Sequence, residues 1–426
     1  MSATALERPR YLGLERVRAT GNRQALVEQI DRVGLRGRGG AAFPTAVKWR
    51  SALEQPGPRV VVCNGGEDEP GSLKDRWLME RRPHAVIEGV LLAAYALEAD
   101  TAFLYVNTTF SQALEALRGA LASAADAGYA TPETRVHIVE APNEYVAGEE
   151  TAALEVIEGR PPKPRRKPPY PTQSGVWGRP TVVNNVETLA TVADIARGSD
   201  SAARRVLVTL GGWVEHPGVY QVELGTPVSA ILETFGGGSR KRKPVKTVSP
   251  GGPSTAYLSA DDLDVAFNYE ALRAAGSAIG CGVVRVVPQG ACMLEEVLRF
   301  APFFAAASCG QCGPCVQGTR KIATLAEDLR WGTRDGRPLE MLVRLGQRLP
   351  GMGICGLVTG AVAAAASALA LFPADFEHHA RFGVCPGLGP ATGPLPARRR
   401  SWLLTGPALS RGSLSARHRS RWMAVR

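Results

Sequence analysis

The spacing of apolar and polar positions divides the 426-residue chain into three parts. In the first, strand-like and helix-like periods alternate. Residues 59–64 form a nearly continuous apolar run (RVVVCN) and predict a buried strand. Helical spacing at 83–97 and 111–125 alternates with strand-like runs at 102–106 and 136–140, which predicts an α/β layer with crossovers. The lead-in, 1–33, predicts one helix at 23–33. Between 205 and 290 the elements shorten. Strands at 205–210, 218–222, 245–248 and 283–287, with a helix at 228–235, predict a small β-rich domain. From 293 to 372 the pattern is helical. Domains are therefore expected at 1–200, 201–290 and 291–380, with a tail at 381–426.

Composition changes this picture in two places. Apolar residues make up 45% of the chain, enough for several cores. The net charge is +10, yet eight arginines and no acid follow Cys385, which leaves +2 for the remainder. The basic balance thus belongs to the tail, which is expected to be disordered and solvated. It gives no reason to expect a nucleic-acid partner. No apolar run reaches 18 residues and no secretory signal follows Met1. The expectation is a cytoplasmic protein, or one held at the cytoplasmic face of a membrane through a partner complex.

Candidate chemistry lies in the loops. Residues 34–45 (GLRGRGGAAFPT) hold four glycines within seven positions, so the backbone can turn tightly and approach a ligand. Successive N–H groups flanked by Arg36 and Arg38 suit a phosphate. Pro44 can start a helix that places Lys48 and Trp49 one turn on. The order of the glycines is not the usual dinucleotide fingerprint. After the 59–64 strand comes an acidic loop, GGEDEPGS, where an α/β sheet binds ligands; acids there suit ribose hydroxyls or a polar ring edge. Glu149 and Glu150 fall at a helix start, where capping alone accounts for them. The segment 161–171 (PPKPRRKPPYP) predicts an extended wrap, with Lys167 and Tyr170 placed to cover a cleft. Paired asparagines, Asn184 and Asn185, precede a helical run and can cap it or bind a polar ligand.

Eight cysteines are present, three of them in the C-x-x-C-x-x-C run Cys309, Cys312 and Cys315. That run points to iron–sulfur ligation, and Cys355 in GICG completes a four-thiolate set, although zinc accepts the same ligands. Cys281 and Cys292 have no metal-ligand spacing and are read as buried thiols.

Together, GLRGRGGAAFPTAVKW, NGGEDEPGSLKDR, EYVAGEETAAL, KPPYP, GRPTVVNNVETL, SCGQCGPC and GICG resemble, in that order, the NADH-binding flavoprotein subunit of respiratory complex I. Its relatives occur in NAD-linked hydrogenases and formate dehydrogenases. The resemblance covers about residues 10–380. It implies a Rossmann-like FMN-binding domain, a small ubiquitin-like β-grasp (SLBB-type) domain and a helical bundle carrying a [4Fe–4S] cluster. The implied activity is hydride transfer from NADH or NADPH to FMN, or its reverse, then single-electron transfer to the cluster. The positions implied at or near FMN are Gly37, Arg38, Gly39, Lys48, Asn64, Glu67, Asp68, Gly148, Glu149, Val183, Asn184, Asn185 and Thr188. Phe43 and Tyr170 match an aromatic platform for adenine. Glu69, Glu150 and Lys167 match polar positions around the nicotinamide nucleotide, and Tyr145 joins the cofactor-binding set. Glu149 is assigned an electrostatic role near the flavin. Cys309, Cys312, Cys315 and Cys355 match the cluster ligands. Implied partners are a thioredoxin-like [2Fe–2S] subunit and a ferredoxin-like or larger iron–sulfur protein.

Four positions depart from the family pattern. Gly66 replaces an aspartate that contacts cofactor, and Ser51 stands where a stacking aromatic is common. Ala307 and Val316 replace polar neighbours of the cysteine motif. Ser51 and Gly66 lead to an expectation of slower or weaker NADH use. Two other functions compete: an electron-transfer flavoprotein without nicotinamide binding, serving a ferredoxin or a membrane reductase, and a structural metal-containing interaction protein.

Overall fold

A computed structural model describes residues 9–130, 134–333 and 336–385. The arginine-rich sequence after Cys385 lies outside them. Two sheets are formed by the described residues, one in each of the first two parts of the chain.

The first sheet contains β1 (Arg59–Gly65), β2 (Ala99–Asn107), β3 (Arg135–Ala141) and β4 (Thr181–Asn185), in the order β3-β2-β1-β4. All its pairings are parallel. Strand β4 was not expected from the sequence pattern, which shows Asn184 and Asn185 only as capping or ligand-binding groups. Its five residues put Val182 and Val183 on opposite faces and end beside β1. Strand β1 also buries both faces. Val61 and Cys63 enter the main core, while Val60 and Val62 pack with Phe103, Tyr105 and Ile157.

Helices α1 (Leu12–Thr20), α2 (Arg23–Arg32), α3 (Thr45–Leu53), α4 (Lys74–Arg81), α5 (Pro83–Leu97), α6 (Ser111–Asp126), α7 (Glu150–Ile157) and α8 (Val186–Ala196) surround this sheet. The lead-in therefore holds two helices rather than one. The first is capped from afar: the buried Glu88 carboxylate on α5 accepts from Gly13 N at 2.7 Å and Leu14 N at 3.1 Å. Nothing local announces such a cap.

The second sheet contains β5 (Arg205–Gly212), β6 (Gly218–Glu223), β7 (Val245–Ser249), β8 (Leu258–Ser259) and β9 (Val283–Pro288), in the order β6-β5-β9-β7-β8. Strands β5 and β9 run parallel and the other pairs antiparallel. Helices α9 (Val228–Thr234) and α10 (Tyr269–Ala274) accompany it. The third part is α-helical: α11 (Met293–Ala306), α12 (Gly313–Arg330), α13 (Arg337–Arg348), α14 (Leu357–Leu371) and α15 (Pro373–Phe382). No single helix among the described residues is long and apolar enough to cross a membrane; α14 and α15 are bent 86° apart.

Helices α5 and α8 touch backbone to backbone under the first sheet. A β-carbon on Gly89 would overlap the carbonyl of Leu189. Gly89→Ala is expected to destabilise the domain by about 1–3 kcal/mol or more, because neither helix can move without disturbing the core. A lowered thermal midpoint of the purified chain checks this. An unchanged midpoint would refute the close packing.

Candidate functional site

The carboxyl edge of the first sheet gathers most of the sequence-predicted site residues. Register places Asn64, Tyr105 and Asn185 side by side on β1, β2 and β4. The glycine-rich loop closes over this edge as a small hairpin. Gly37 N donates to Phe43 O at 2.9 Å, and Thr45 N donates to Leu35 O at 2.9 Å. It docks on α8 where Arg38 N donates to Thr188 Oγ1 at 2.9 Å. A β-carbon on Gly39 would stand 3.3 Å from Asn185 Cβ. A side chain at position 39 would crowd Asn185 at the groove between the loop and the sheet edge.

The two arginines of the loop do not offer charge to a phosphate there. Arg38 is buried, and its guanidinium bonds the Tyr269 hydroxyl and the carbonyls of Ala203 (2.5 Å) and Arg205 (3.3 Å). Arg36 pairs with Glu270 at 2.7 Å and lies over the Tyr269 ring. The same element accounts for both: α10 of the β-rich domain engages the two cations. What the loop presents at the groove is backbone.

A chain of alternating charges lines one side. Lys48 Nζ donates to Glu150 Oε2 at 3.0 Å and to Val183 O at 3.1 Å. Lys167 Nζ donates to Glu150 Oε1 at 2.7 Å and to Glu149 Oε1 at 3.0 Å. Burial works against the Glu150 carboxylate, but the two lysines outweigh it and its pKa is lowered. Glu149 caps α7, accepting from Thr151 N at 2.8 Å and Ala152 N at 2.9 Å. Asn184 accepts from Trp49 Nε1 at 2.8 Å. Asn185 accepts from Glu187 N at 3.0 Å and so caps α8.

On the other side, Asn64 Nδ2 donates to Gly148 O at 2.8 Å, and Asn64 Oδ1 accepts from Gly66 N at 3.0 Å. The acidic loop divides in its roles. Glu67 accepts from Asp75 N at 3.0 Å and Arg76 N at 2.9 Å, which caps α4. Both Glu69 oxygens are engaged, one by the Tyr145 hydroxyl at 2.8 Å and one by Ser254 N at 2.9 Å. Tyr145 in turn packs edge-on against Phe303 and Phe304. Glu69 and Tyr145 therefore join the three parts of the chain. Asp68 differs. Its Oδ1 accepts from Asn107 Nδ2 at 2.6 Å, while its buried Oδ2 has no partner. Such an orphan acceptor fits a ligand rich in hydroxyl groups.

Phe43 and Tyr170 are 48% and 53% exposed, so both rings are open to stack on a base. Ser51 faces Thr172 with their hydroxyl oxygens 3.0 Å apart, and presents no ring beside them.

Among the helices, Cys309 lies in the loop before α12, Cys312 caps that helix, Cys315 is in its first turn, and Cys355 precedes α14. Cys312 Sγ accepts from Ile354 N at 3.3 Å. Burial pushes the Cys355 thiol up to about 11, opposed by the Leu357 N–H and reinforced by Glu149, Cys309 and Cys315. The four thiols are thus electrostatic neighbours, and metal must displace their protons to bind. Among the described residues, the metal donors found mutually within 4.8 Å are a different group, Cys292, His379 and Cys385. The C-x-x-C-x-x-C run with Cys355 beyond it supplies four thiolates of the kind that hold an iron–sulfur cluster.

Three family matches cover these parts in order: the Nuo51 FMN-binding domain at residues 30–194, the SLBB domain at 207–257, and the NADH-ubiquinone oxidoreductase-F iron-sulfur binding region at 295–379. An F subunit of NADH-quinone oxidoreductase (number 2) from Rhizobium meliloti (strain 1021) is 37% identical over 378 residues, which is 85% of this chain and 90% of that protein. The F subunit of the Escherichia coli (strain K12) enzyme is 35% identical over 373 residues, 83% of each. The chain belongs to the family of NADH-quinone oxidoreductase F subunits. A NAD+-reducing [NiFe]-hydrogenase in its H2-reduced state also aligns, with a TM-score of 0.78, 32% identity and 89% of this chain covered. This chain spans 66% of that hydrogenase chain.

In this member of the F-type family, Lys74 is a residue whose role the sequence pattern does not announce, although it lies within the acidic-loop motif. Its side chain is 2% exposed and pairs with Asp75 at 2.6 Å and Glu187 at 3.0 Å. Tyr105 was missed as well. It is fully buried, its hydroxyl donates to Ala147 O at 3.0 Å, and a β-carbon on Gly66 would stand 3.2 Å from its ring. The ring borders the space that a side chain at position 66 would enter.

Asp68 generates a prediction. Burial raises its pKa to about 6 from an ordinary 3.8, with Asn107 opposing and Glu144 adding to the rise. A raised carboxyl pKa means that the folded state binds more protons than the unfolded state between these values. Stability from this group is therefore lost as pH climbs from about 4 to about 6. Asp68→Asn is expected to raise the thermal midpoint of flavin-free protein at pH 8 more than at pH 4. Equal shifts at both pH values would contradict a half-buried carboxylate with one unpartnered oxygen.

Proposed function

We propose that this chain is an NADH-oxidising subunit that holds FMN at the carboxyl edge of β1, β2 and β4 and delivers single electrons to a [4Fe–4S] cluster. Bound FMN accepts two electrons as hydride and releases them singly, and the cluster takes one at a time. The residues proposed to hold FMN are the Gly37–Gly39 backbone, Lys48, Asn64, Asp68, Val183, Asn184, Asn185 and Thr188. Asp68 Oδ2 supplies a free acceptor for a ligand hydroxyl. Phe43 and Tyr170 stack on the adenine of the nucleotide, and Lys167 and Glu150 orient its polar parts. Glu149 acts electrostatically: its carboxylate is held by α7 and Lys167, so it shapes the field and is not free to move a proton. Cys309, Cys312, Cys315 and Cys355 ligate the cluster.

The observation that carries this reading is the path of residues 161–171. Lys167 reaches Glu149 and Glu150 beside the groove. Three residues earlier, Pro164 O accepts from Gln311 Nε2 at 3.0 Å, between Cys309 and Cys312. One extended segment thus touches the nucleotide platform, the flavin groove and the cluster loop. The domain boundaries near 200, 290 and 380, and a β-grasp assignment for the second sheet, belong to the same proposal. So does a further iron–sulfur partner protein, since the relatives are named as components of oxidoreductase and hydrogenase assemblies. We place the chain in the cytoplasm, reaching a membrane only through that assembly.

The test is anaerobic rapid mixing of flavin-replete protein with NADH and, separately, NADPH. Flavin bleaching is expected before or together with cluster reduction. Tyr170→Ala is expected to weaken nucleotide binding by about 5- to 150-fold, from roughly 1–3 kcal/mol of base stacking, with FMN retained. Failure of either nucleotide to bleach the flavin, with reduction by a reduced ferredoxin, would replace this reading by a nicotinamide-free one. Recovery of FAD on acid extraction would overturn the flavin assignment.

A further inference from the structure

We propose a second metal centre, separate from the cluster: a mononuclear zinc site formed by Cys292, His379 and Cys385. These residues come from the cap of α11, the body of α15 and the segment just beyond α15. Their spacings of 87 and 6 residues match no short metal motif, which is why Cys292 reads as an isolated thiol in sequence. The fold brings them together. His379 Nε2 stands 3.3 Å from Cys292 Sγ and 3.0 Å from Cys385 Sγ, and all three donors lie within 4.8 Å of one another.

The surroundings suit a zinc ion held by three protein ligands. Cys292 and His379 are 4% and 2% exposed, so the centre is shielded. The other ring nitrogen, His379 Nδ1, lies 3.3 Å from Arg330 O. A proton on Nδ1 directed at that carbonyl leaves the Nε2 lone pair facing the sulfurs, the arrangement a zinc-bound histidine requires. Tetrahedral zinc with sulfur at about 2.3 Å and nitrogen at about 2.0–2.1 Å sets sulfur and nitrogen about 3.6 Å apart. The observed separations need to open by only a few tenths of an ångström. Binding replaces the two thiol protons by one divalent ion. The resulting centre, two thiolates and a neutral imidazole around Zn2+, carries no net charge and is tolerated in a buried place. Water fills the fourth position.

The position suggests what the ion does. The same junction is already fastened by Asp375, which accepts from Met293 N at 2.8 Å and from Lys246 Nζ at 2.5 Å. Zinc adds a cross-link between the start of α11 and the chain leaving α15, closing the helical part on itself next to the β-rich domain.

Elemental analysis of the full chain, purified with its cofactors and without chelators, is expected to show about one zinc per chain beside the iron, the stoichiometry of one mononuclear site. Cys292→Ser and Cys385→Ser are expected to lose the zinc and keep the iron, whereas Cys355→Ser loses iron and keeps zinc. Zinc-edge X-ray absorption on the unmodified protein should report about two sulfur and two lighter ligands, independently of whether the variants fold. Absence of zinc, a four-sulfur or sulfur-free zinc environment, or a Cys292–Cys385 disulfide in alkylated peptides would each overturn the proposal.

Discussion

The site depends on one buried cation. Lys74 Nζ sits almost wholly out of solvent between Asp75 and Glu187, with Asn185 Oδ1 at 3.4 Å. Desolvation alone would favour the neutral amine. The carboxylates of Asp75, Glu187 and Glu67 reverse this and raise its pKa. Removing one member of such a buried set leaves an uncompensated charge, a cost of about 3–5 kcal/mol. The set also fixes geometry. Asp75 accepts from Asn185 Nδ2 at 2.6 Å, and Glu187 accepts from Leu207 N of β5 at 2.7 Å. The acidic loop, the end of β4 and the β-rich domain are therefore held by a single ammonium group.

That constraint explains the division of labour in the acidic loop. With three carboxylates near one cation, burial and the neighbouring Asp75 raise the pKa of Glu67, and its oxygens are used as a helix cap. Glu69 is drawn to Tyr145 and the Ser254 backbone. Asp68 alone keeps an unpaired oxygen at the sheet edge. Three consecutive acids thus divide between capping, domain joining and an acceptor left open. The arginines of the glycine-rich loop follow the same logic in reverse, since Tyr269, Glu270 and two carbonyls draw their charge away from the groove.

Much of this architecture is legible in sequence where the signal is local. The apolar run of β1, the helical periods of α5 and α6 and four strands of the second sheet (β5, β6, β7 and β9) lie within a few residues of their expected places, whereas the two-residue β8 was not expected. So does the Pro44 start of α3. The cysteine motif and the loop segments locate the site. What escapes is set by distant partners. Helix α1 owes its start to Glu88, and α4 owes its start to Glu67, so neither shows a conventional cap. Strand β4 is too short for its period to register. The destinations of Arg36, Arg38 and Glu69 depend on residues about 185–235 positions away, which no window along the chain can contain.

The departures from the family pattern gain physical content at this level. Gly66 lies where a side chain would press on Tyr105, on Asn64 Oδ1 and on the Gly148 backbone. Gly148 has the reciprocal constraint, since a β-carbon there would lie 2.6 Å from the Gly66 carbonyl. The acidic loop and the turn before α7 therefore approach backbone to backbone, with Asn64 Nδ2 bridging to Gly148 O. Loss of the aspartate removes a polar group from the groove but permits this close approach. Glu149, the next residue along, pairs with Lys167 and lies near enough to Cys355 to help raise its pKa. The glycine at position 66 thus removes a side chain from the sheet edge while the frame that joins this edge to the turn before α7 stays intact.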